Sequence, residues 1–299
     1  MYHNFEEIVA KAKEIGPRKV AVLFPDDPEV MQATADGIKQ GLIEPMLVGN
    51  LVRIREVARE VNLLLENIEL LDYREPQSAA DMCLDMVTKG QVAFVVKGNI
   101  LTTYLYRALI RTTRQLAPDQ APCTLCFHHA RGLEKIFIIT DPGVNIRPDL
   151  ELKEKILANA VSVLQRLGCE RPRVMVLAAS QVDGVTPDSV KDAVAIRKGA
   201  LDGRFGECEI CDAKNLYQAF PERTIQTETF PDIFMVPNIE TGNILVKTID
   251  HLAQGIRQCA TVGGGIFLLT PSRSDGYETR MTNLALGLVL STTDRGDKS

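Results

Sequence analysis

Residues 232–258, DIFMVPNIETGNILVKTIDHLAQGIRQ, read as a buried strand (233–236), a polar turn (237–243) and an amphipathic helix with Ile244, Leu245, Ile249, Leu252 and Ile256 on one face. An apolar run of strand length that passes through a turn into a helical period is the unit from which helix-covered parallel sheets are built. Gly242 allows a tight backbone path, and Asn243 is placed to cap the helix. Lys247 then falls in the first helical turn, where a cation opposes the positive end of the helix dipole unless an anion is bound there. The same letters occur earlier: Gly98-Asn99-Ile100-Leu101 repeats Gly242-Asn243-Ile244-Leu245, after an apolar strand (92–96) and before a helix. Together the two turns offer helix N-termini to one anionic ligand, lined by Lys97, Asn99, Asn243 and Lys247. Taken singly, each is an ordinary strand-to-helix turn.

Outward from this stretch the rhythm repeats. Strands at 20–24, 45–48 and 68–71 alternate with helices at 28–42, 51–61 and 76–89. Residues 125–141 break the pattern, because two apolar runs flank Arg131-Gly132 with no helix between them; an antiparallel hairpin at a sheet edge is expected. A second series follows: helix 149–167, strand 174–178, helix 187–198, an apolar run at 208–211, the organising strand and helix, strand 266–270 and helix 276–290. The chain is therefore α/β, and 299 residues suffice for two domains.

Composition narrows the function classes. With 45% hydrophobic and 24% charged residues the chain is an ordinary globular protein, and a net charge of -5 argues against nucleic acid or an anionic membrane as a bulk partner. No apolar run approaches the roughly 20 residues of a membrane span. The N-terminal segment carries acidic residues and helical spacing (Phe5, Ile8, Val9, Ala12, Ile15), unlike a signal peptide, so a cytoplasmic protein is expected. Seven cysteines, an odd number, fit a reducing compartment better than a disulfide framework.

A third strand-turn-helix, Thr270-Pro271-Ser272-Arg273-Ser274-Asp275-Gly276-Tyr277-Glu278, is anchored by Met281, Leu284, Ala285 and Leu288 at core spacing. Ligands of open α/β sheets bind at the carboxyl edge, where this turn would lie. Ser272 and Arg273 can both donate to a phosphate, Arg273 as a bidentate fork; alternatively Ser272 or Ser274 caps the helix and Arg273 is a solvated cation.

With these residues the chain resembles the phosphate acetyl/butyryl transferases, closest to the phosphotransbutyrylase branch. The similar motifs are VVKGNILT (95–102), ITDPGVNIRPDLELKEKILANAV (139–161), PDIFMVPNIETGNILVK (231–247) and GGGIFLLTPSRSDGYE (263–278), in the family's order. The resemblance implies two α/β domains with an interdomain cleft, in an architecture similar to isocitrate and isopropylmalate dehydrogenases. The last strand and helix would return to the first domain, giving residues 1–147 plus 263–299 as one domain and 148–262 as the other. It implies interconversion of acyl-CoA plus phosphate with acyl phosphate plus CoA, and a homodimer paired through the second domain. By motif, Ser272 and Arg273 match the pair assigned to the reacting phosphate and carbonyl. Glu278 matches the acidic base, and Arg107 matches a basic substrate-binding position on a first-domain helix.

Chemistry makes sense of these residue types independently. A free thiol with a pKa near ~8.5 is mostly protonated at neutral pH, so its attack on an acyl phosphate needs a base; a carboxylate in a half-dry cleft can be raised toward that task, and Glu278 is the candidate. Fixed donors for the oxyanion and departing phosphate are available from Ser272, Arg273 and helix N-termini, with Lys97, Gly98, Asn99, Gly242, Asn243 and Lys247 lining the anion site. CoA is then a substrate, and no metal or resident cofactor is required. Asp141 and Asn145 either hold the domain junction or face the ligand.

Two departures stand out. Where the transbutyrylase branch usually has Ser-His before the hairpin, this chain has Cys123-Thr124, which could still donate weakly to a phosphate or thioester. The hairpin turn reads His128-His129-Ala130-Arg131, with both histidines expected at the surface. Cys123-x-x-Cys126 and Cys208-x-x-Cys211 raise a zinc site, but positions i and i+3 of a strand face opposite ways, and buried thiols are the better reading. A dehydrogenase-type or metal-dependent enzyme would need a nucleotide fingerprint or acidic ligand cluster, and neither occurs in the sequence. A non-catalytic acyl-CoA or phosphate sensor has only the Cys123-Thr124 change in its favour.

Overall fold

Apolar runs long enough for one strand, most of them followed by a helical period, become an alternation of strands and helices in space. The computed structural model describes residues 2–179, 185–212, 216–220, 226–272 and 275–292. In chain order the first elements are α1 (Phe5–Ile15), β1 (Arg18–Leu23), α2 (Pro28–Lys39), β2 (Ile43–Gly49), α3 (Leu51–Glu60), β3 (Glu69–Asp72), α4 (Pro76–Thr88), β4 (Val95–Lys97) and α5 (Thr102–Leu116). Then come β5 (Cys123–His129), β6 (Phe137–Thr140), α6 (Leu150–Arg166), β7 (Arg173–Val176), α7 (Asp188–Leu201), β8 (Glu209–Ile210), α8 (Leu216–Ala219), β9 (Ile233–Met235) and α9 (Ile239–Leu252). Last are β10 (Ile256–Gly263), β11 (Ile266–Leu269) and α10 (Tyr277–Thr292). No helix among the described residues is long and apolar enough to cross a membrane.

Helix starts are written in the sequence. Asp27 accepts from the N–H groups of Glu29 and Val30, both at 3.1 Å, with Pro28 as the first helical residue. Asn50 and Glu75 do the same for α3 and α4, and Asp149 accepts from Leu152 N at 2.9 Å to start α6.

The chain divides into two compact units, Glu6–Pro118 with Gln258–Ser299 and Met1–Phe5 with Asp119–Arg257. In the discontinuous unit the strand order is β3-β2-β1-β4-β11-β10, parallel except for the β10–β11 pair. Its inner strands β4 and β11 are buried along their length and β1 and β2 along most of theirs, as helices on both sides require. Ala21, Leu23, Met46, Val95, Leu105 and Leu268 lie in its core. In the inserted unit the order is β5-β6-β9-β7-β8, with only the β5–β6 hairpin antiparallel.

The expected hairpin is present as the antiparallel β5–β6 pair, with β6 also paired to β9. Two other sequence expectations are corrected here. The division falls at Pro118/Asp119 and Arg257/Gln258 rather than at 147/148 and 262/263, because β6 pairs with β9 and carries its hairpin partner β5 into the inserted unit. The organising helix begins earlier than expected: Asn238, not Asn243, is its cap, accepting from Thr241 N at 2.9 Å. Its buried residues are Gly242 and Val246, while Ile244 and Leu252 are 66% and 81% exposed and Ile256 opens β10.

Candidate active site at the carboxyl edge of the discontinuous unit

β1, β4 and β11 are adjacent parallel strands, and their registers (Leu23 with Lys97, Leu269 with Val96) bring their carboxyl ends level. Three segments therefore leave one edge from adjacent strands: 24–27 into α2, 98–101 into α5 and the segment that begins at Thr270. Gly98 is where the first two touch. Its N–H donates to Leu23 O at 2.8 Å and the N–H of Asn99 to Phe24 O at 2.7 Å; a Cβ on residue 98 would stand 2.2 Å from Phe24 O. Only glycine allows that approach. Phe24 itself is held at φ +51°, an uncommon conformation for a bulky residue. Lys97 is 5% exposed, its Nζ donating to Gly98 O at 3.2 Å, and Asn99 is exposed.

The Ser272 turn lies on the neighbouring strand. Asp275, itself buried, accepts from Ser272 N at 2.7 Å through Oδ2 and donates its own N–H to Ser272 O at 3.2 Å. It therefore clamps the turn rather than merely opening the helix. Glu278 is exposed in the first turn of α10, where a carboxylate complements the helix dipole. Arg107 is exposed on α5. Arg273 and Ser274 lie outside the described residues.

Two further residues of this edge were not singled out from sequence. Asp26, after β1, has a buried Oδ1 with no hydrogen-bond partner among the described residues, and burial raises its pKa against the opposing charge of Arg53. Arg280, on α10, is buried and donates from Nη2 to Ser272 O at 3.4 Å.

The other candidates belong to the inserted unit, and the structure gives them different work. Gly242 does not make a tight turn: a Cβ there would stand 2.9 Å from Pro142 Cα and from Val236 Cγ2, so it lets α9 pack closely. Asn243 and Lys247 are exposed within the helix, and Lys247 is well past its first turn. The two Gly-Asn-Ile-Leu stretches are thus not equivalent, one being a strand-to-helix turn and the other helix interior. A cavity of about 950 Å³ does open at the carboxyl ends of β7 and β9, lined by Asp149, Lys153, Ser189, Asn238, Thr241 and Leu245 among others. Lys153 is neutralised there by Asp192 at 2.6 Å.

Cys123 and Thr124 are buried on β5. Thr124 N donates to Asp141 Oδ1 at 3.0 Å, and the same carboxylate accepts from the N–H groups of Gly143, Val144 and Asn145 and from Asn145 Nδ2, all within 3.0 Å. Asn145 Nδ2 also donates to Pro122 O at 2.8 Å. Asp141 and Asn145 are therefore occupied in tying the end of β6 to the start of β5. Burial pushes the Asp141 pKa up, and the four backbone N–H groups work against it.

His128 is fully buried, not at the surface. Its ring stacks on Phe137 at 5.5 Å, Nδ1 faces Cys126 O at 3.0 Å and Nε2 lies 3.4 Å from Asp250 Oδ1. Burial would raise the Asp250 pKa, but His128 and the Arg257 guanidinium, bonded at 2.7 Å, hold it below the usual carboxylate value.

All seven cysteines are free thiols. Burial pushes Cys83 up to about 12 and Cys169 up to about 11, and it raises Cys123 further with help from the Asp141 charge, so none of these three is poised as a thiolate. Among the described residues no three His, Cys, Asp or Glu side chains are grouped so as to hold a metal ion.

Comparison with known proteins agrees with the family resemblance. The phosphate butyryltransferase of Clostridium acetobutylicum is 27% identical over 298 residues, covering 97% of this chain and 99% of that protein. A branched-chain phosphotransacylase from Enterococcus faecalis V583 has a similar fold, with a TM-score of 0.73 at 21% identity over 91% of this chain and 98% of its own. A phosphotransacetylase from Streptococcus pyogenes aligns with a TM-score of 0.76 at 15% identity over 97% and 99% of the two chains. The family model described as phosphate acetyl/butaryl transferase matches residues 75–264, which include the Lys97-Gly98-Asn99 turn and the organising strand and helix, and the chain belongs to that family.

Proposed function

We propose that this chain transfers an acyl group between CoA and phosphate at the edge that carries Ser272. The observation supporting it most is the clamped Ser272 turn, held by Asp275 and Arg280, on the strand next to the Lys97-Gly98-Asn99 turn. In the thioester-forming direction the CoA thiol attacks the acyl carbon of the acyl phosphate. A C–S bond forms, the thiol proton passes to Glu278, and the C–O bond to phosphate breaks. Ser272 and Arg273 supply donors to the oxyanion and to the departing phosphate, and Lys97 and Arg107 supply positive charge. Every step uses this chain's residues and its two substrates, with no metal and no resident cofactor.

Thioester formation from CoA and a ladder of acyl phosphates, acetyl to branched five-carbon, tests this reading and reads the acyl preference. Each methylene a pocket recognises is worth about 1–3 kcal/mol, so a clear maximum of kcat/KM along the ladder is expected. Absence of thioester with every acyl phosphate would refute it.

The protein is further proposed to act in the cytoplasm as a homodimer. Support for pairing comes from the exposed apolar side chains of the inserted unit, Val194, Leu201, Ile244 and Leu252. Sedimentation velocity should show a species of twice the chain mass, and a monomer throughout the micromolar range would contradict it.

A further inference from the structure

We infer that Arg280 is a positioning residue for acyl transfer, holding the Ser272 carbonyl so that the turn presents its donors in one geometry. The inference rests on the proposed function and adds a residue that no motif of the sequence marked. Arg280 sits on the apolar face of α10 beside Met281 and Leu284, where a methionine or leucine would pack at no electrostatic cost, yet it is only 9% exposed. Its guanidinium is sparsely satisfied for a buried cation. Nη2 donates to Ser272 O at 3.4 Å, while Nε has no hydrogen-bond acceptor among the described residues and faces the Glu29 carboxylate only at 3.8 Å. Glu29, on α2, is itself 58% exposed, so the pair is half open to water and weak.

The neighbourhood decides between gripping a ligand and holding a turn. Arg280, Asn283, Thr34, Val96 and Pro271 enclose a cavity of about 10 Å³. That is room for about one water and not for a phosphate. Arg280 therefore does not bind substrate through this cavity; its link to the reaction is Ser272 O, which also accepts from Asp275 N at 3.2 Å. Two donors, one backbone and one charged, hold the carbonyl. A displacement of the turn by about 1 Å is enough to cost on the order of 10²-fold in rate.

The test is steady-state kinetics of the full chain with butyryl phosphate and CoA, comparing Arg280→Gln, Arg280→Lys, Ser272→Ala, the Ser272→Ala/Arg280→Gln double variant and Glu29→Gln. Arg280→Gln is expected to lower kcat about 10²-fold with KM for CoA unchanged, and Arg280→Lys to regain about tenfold of that loss, since an ammonium keeps one charged donor. Glu29→Gln should stay within about twofold of the parent. The double variant should lose less than the product of the two single losses, because Ser272→Ala keeps the carbonyl but removes one of the donors that its position aims. If Arg280→Gln fails to fold, Arg280→Lys carries the same comparison. Multiplicative losses in the double variant, or a wild-type kcat in Arg280→Gln, would overturn the inference while leaving the proposed function standing. Wild-type activity in Ser272→Ala, or no transfer by the parent chain, would overturn both.

Discussion

Alanine in place of Asp141 is expected to lower the unfolding free energy by about 3–5 kcal/mol, the largest stability loss of any single change considered for this chain. The carboxylate accepts from four backbone N–H groups and one side-chain amide. Removing it takes away the carboxylate that the buried Thr124 N–H donates to, while the half-buried N–H groups of Gly143, Val144 and Asn145 recover part of the loss through water. Each donor left dry costs about 1–3 kcal/mol, and water access to three of them sets the total below a simple sum. Asp141→Asn keeps one acceptor oxygen but turns an amide toward N–H donors, so about half of the loss is expected. Urea unfolding should show a lower midpoint with an unchanged slope in both variants. A midpoint equal to the parent's for Asp141→Ala would show that the loop finds other acceptors.

Glu278→Gln is expected to lower kcat about 10²-fold while KM for CoA changes little, since the substitution keeps the shape and removes only the proton acceptor. The lost rate should return in part as pH rises toward about 8.5 and the CoA thiol ionises unaided. Asp275→Asn makes the informative comparison. Asp275 accepts from Ser272 N at 2.7 Å, so its loss disturbs the turn and should lower kcat without any recovery at high pH. Arg273→Lys should fail in yet another way, losing about 2 kcal/mol or more in kcat/KM, because a point charge cannot replace a bidentate fork. A pH profile of Glu278→Gln that matches the parent would remove that residue from the role of base.

The α/β alternation was legible because buried parallel strands must be apolar on both faces and because Asp27, Asn50, Glu75 and Asp149 stand at helix starts as caps. The apolar stripe of α10 was legible for the same reason, with Met281, Leu284, Ala285 and Leu288 all buried. The start of α9 was not. Asn238 and Asn243 are equally good caps by residue type; the structure uses Asn238, and Gly242 inside the helix packs against Val236 and against Pro142, which is distant in the chain. The two Gly-Asn-Ile-Leu stretches carry the same letters and different structures.

At the edge itself the strand-to-helix turns at Gly98 and Ser272 were readable from spacing, whereas the close approach that requires glycine at 98 and the roles of Asp275 and Arg280 were not. Asp275 reads as a helix-start residue until its bond to Ser272 N is seen. Arg280 did leave a signal, a cation four residues before Leu284 on an otherwise apolar stripe, which helical period alone marks as unusual. His128 escaped because a histidine near a turn reads as surface, and its burial depends on Phe137 and Asp250 coming from other elements.

The central claim is transfer to phosphate, and one measurement addresses it directly: release of free CoA thiol from butyryl-CoA, with and without inorganic phosphate, in the presence of a strong chelator. Thiol release that requires phosphate, saturates with it and yields butyryl phosphate in equal amount is the predicted result. Thiol release at the same rate without phosphate, or release abolished by the chelator and restored by zinc, would contradict the account.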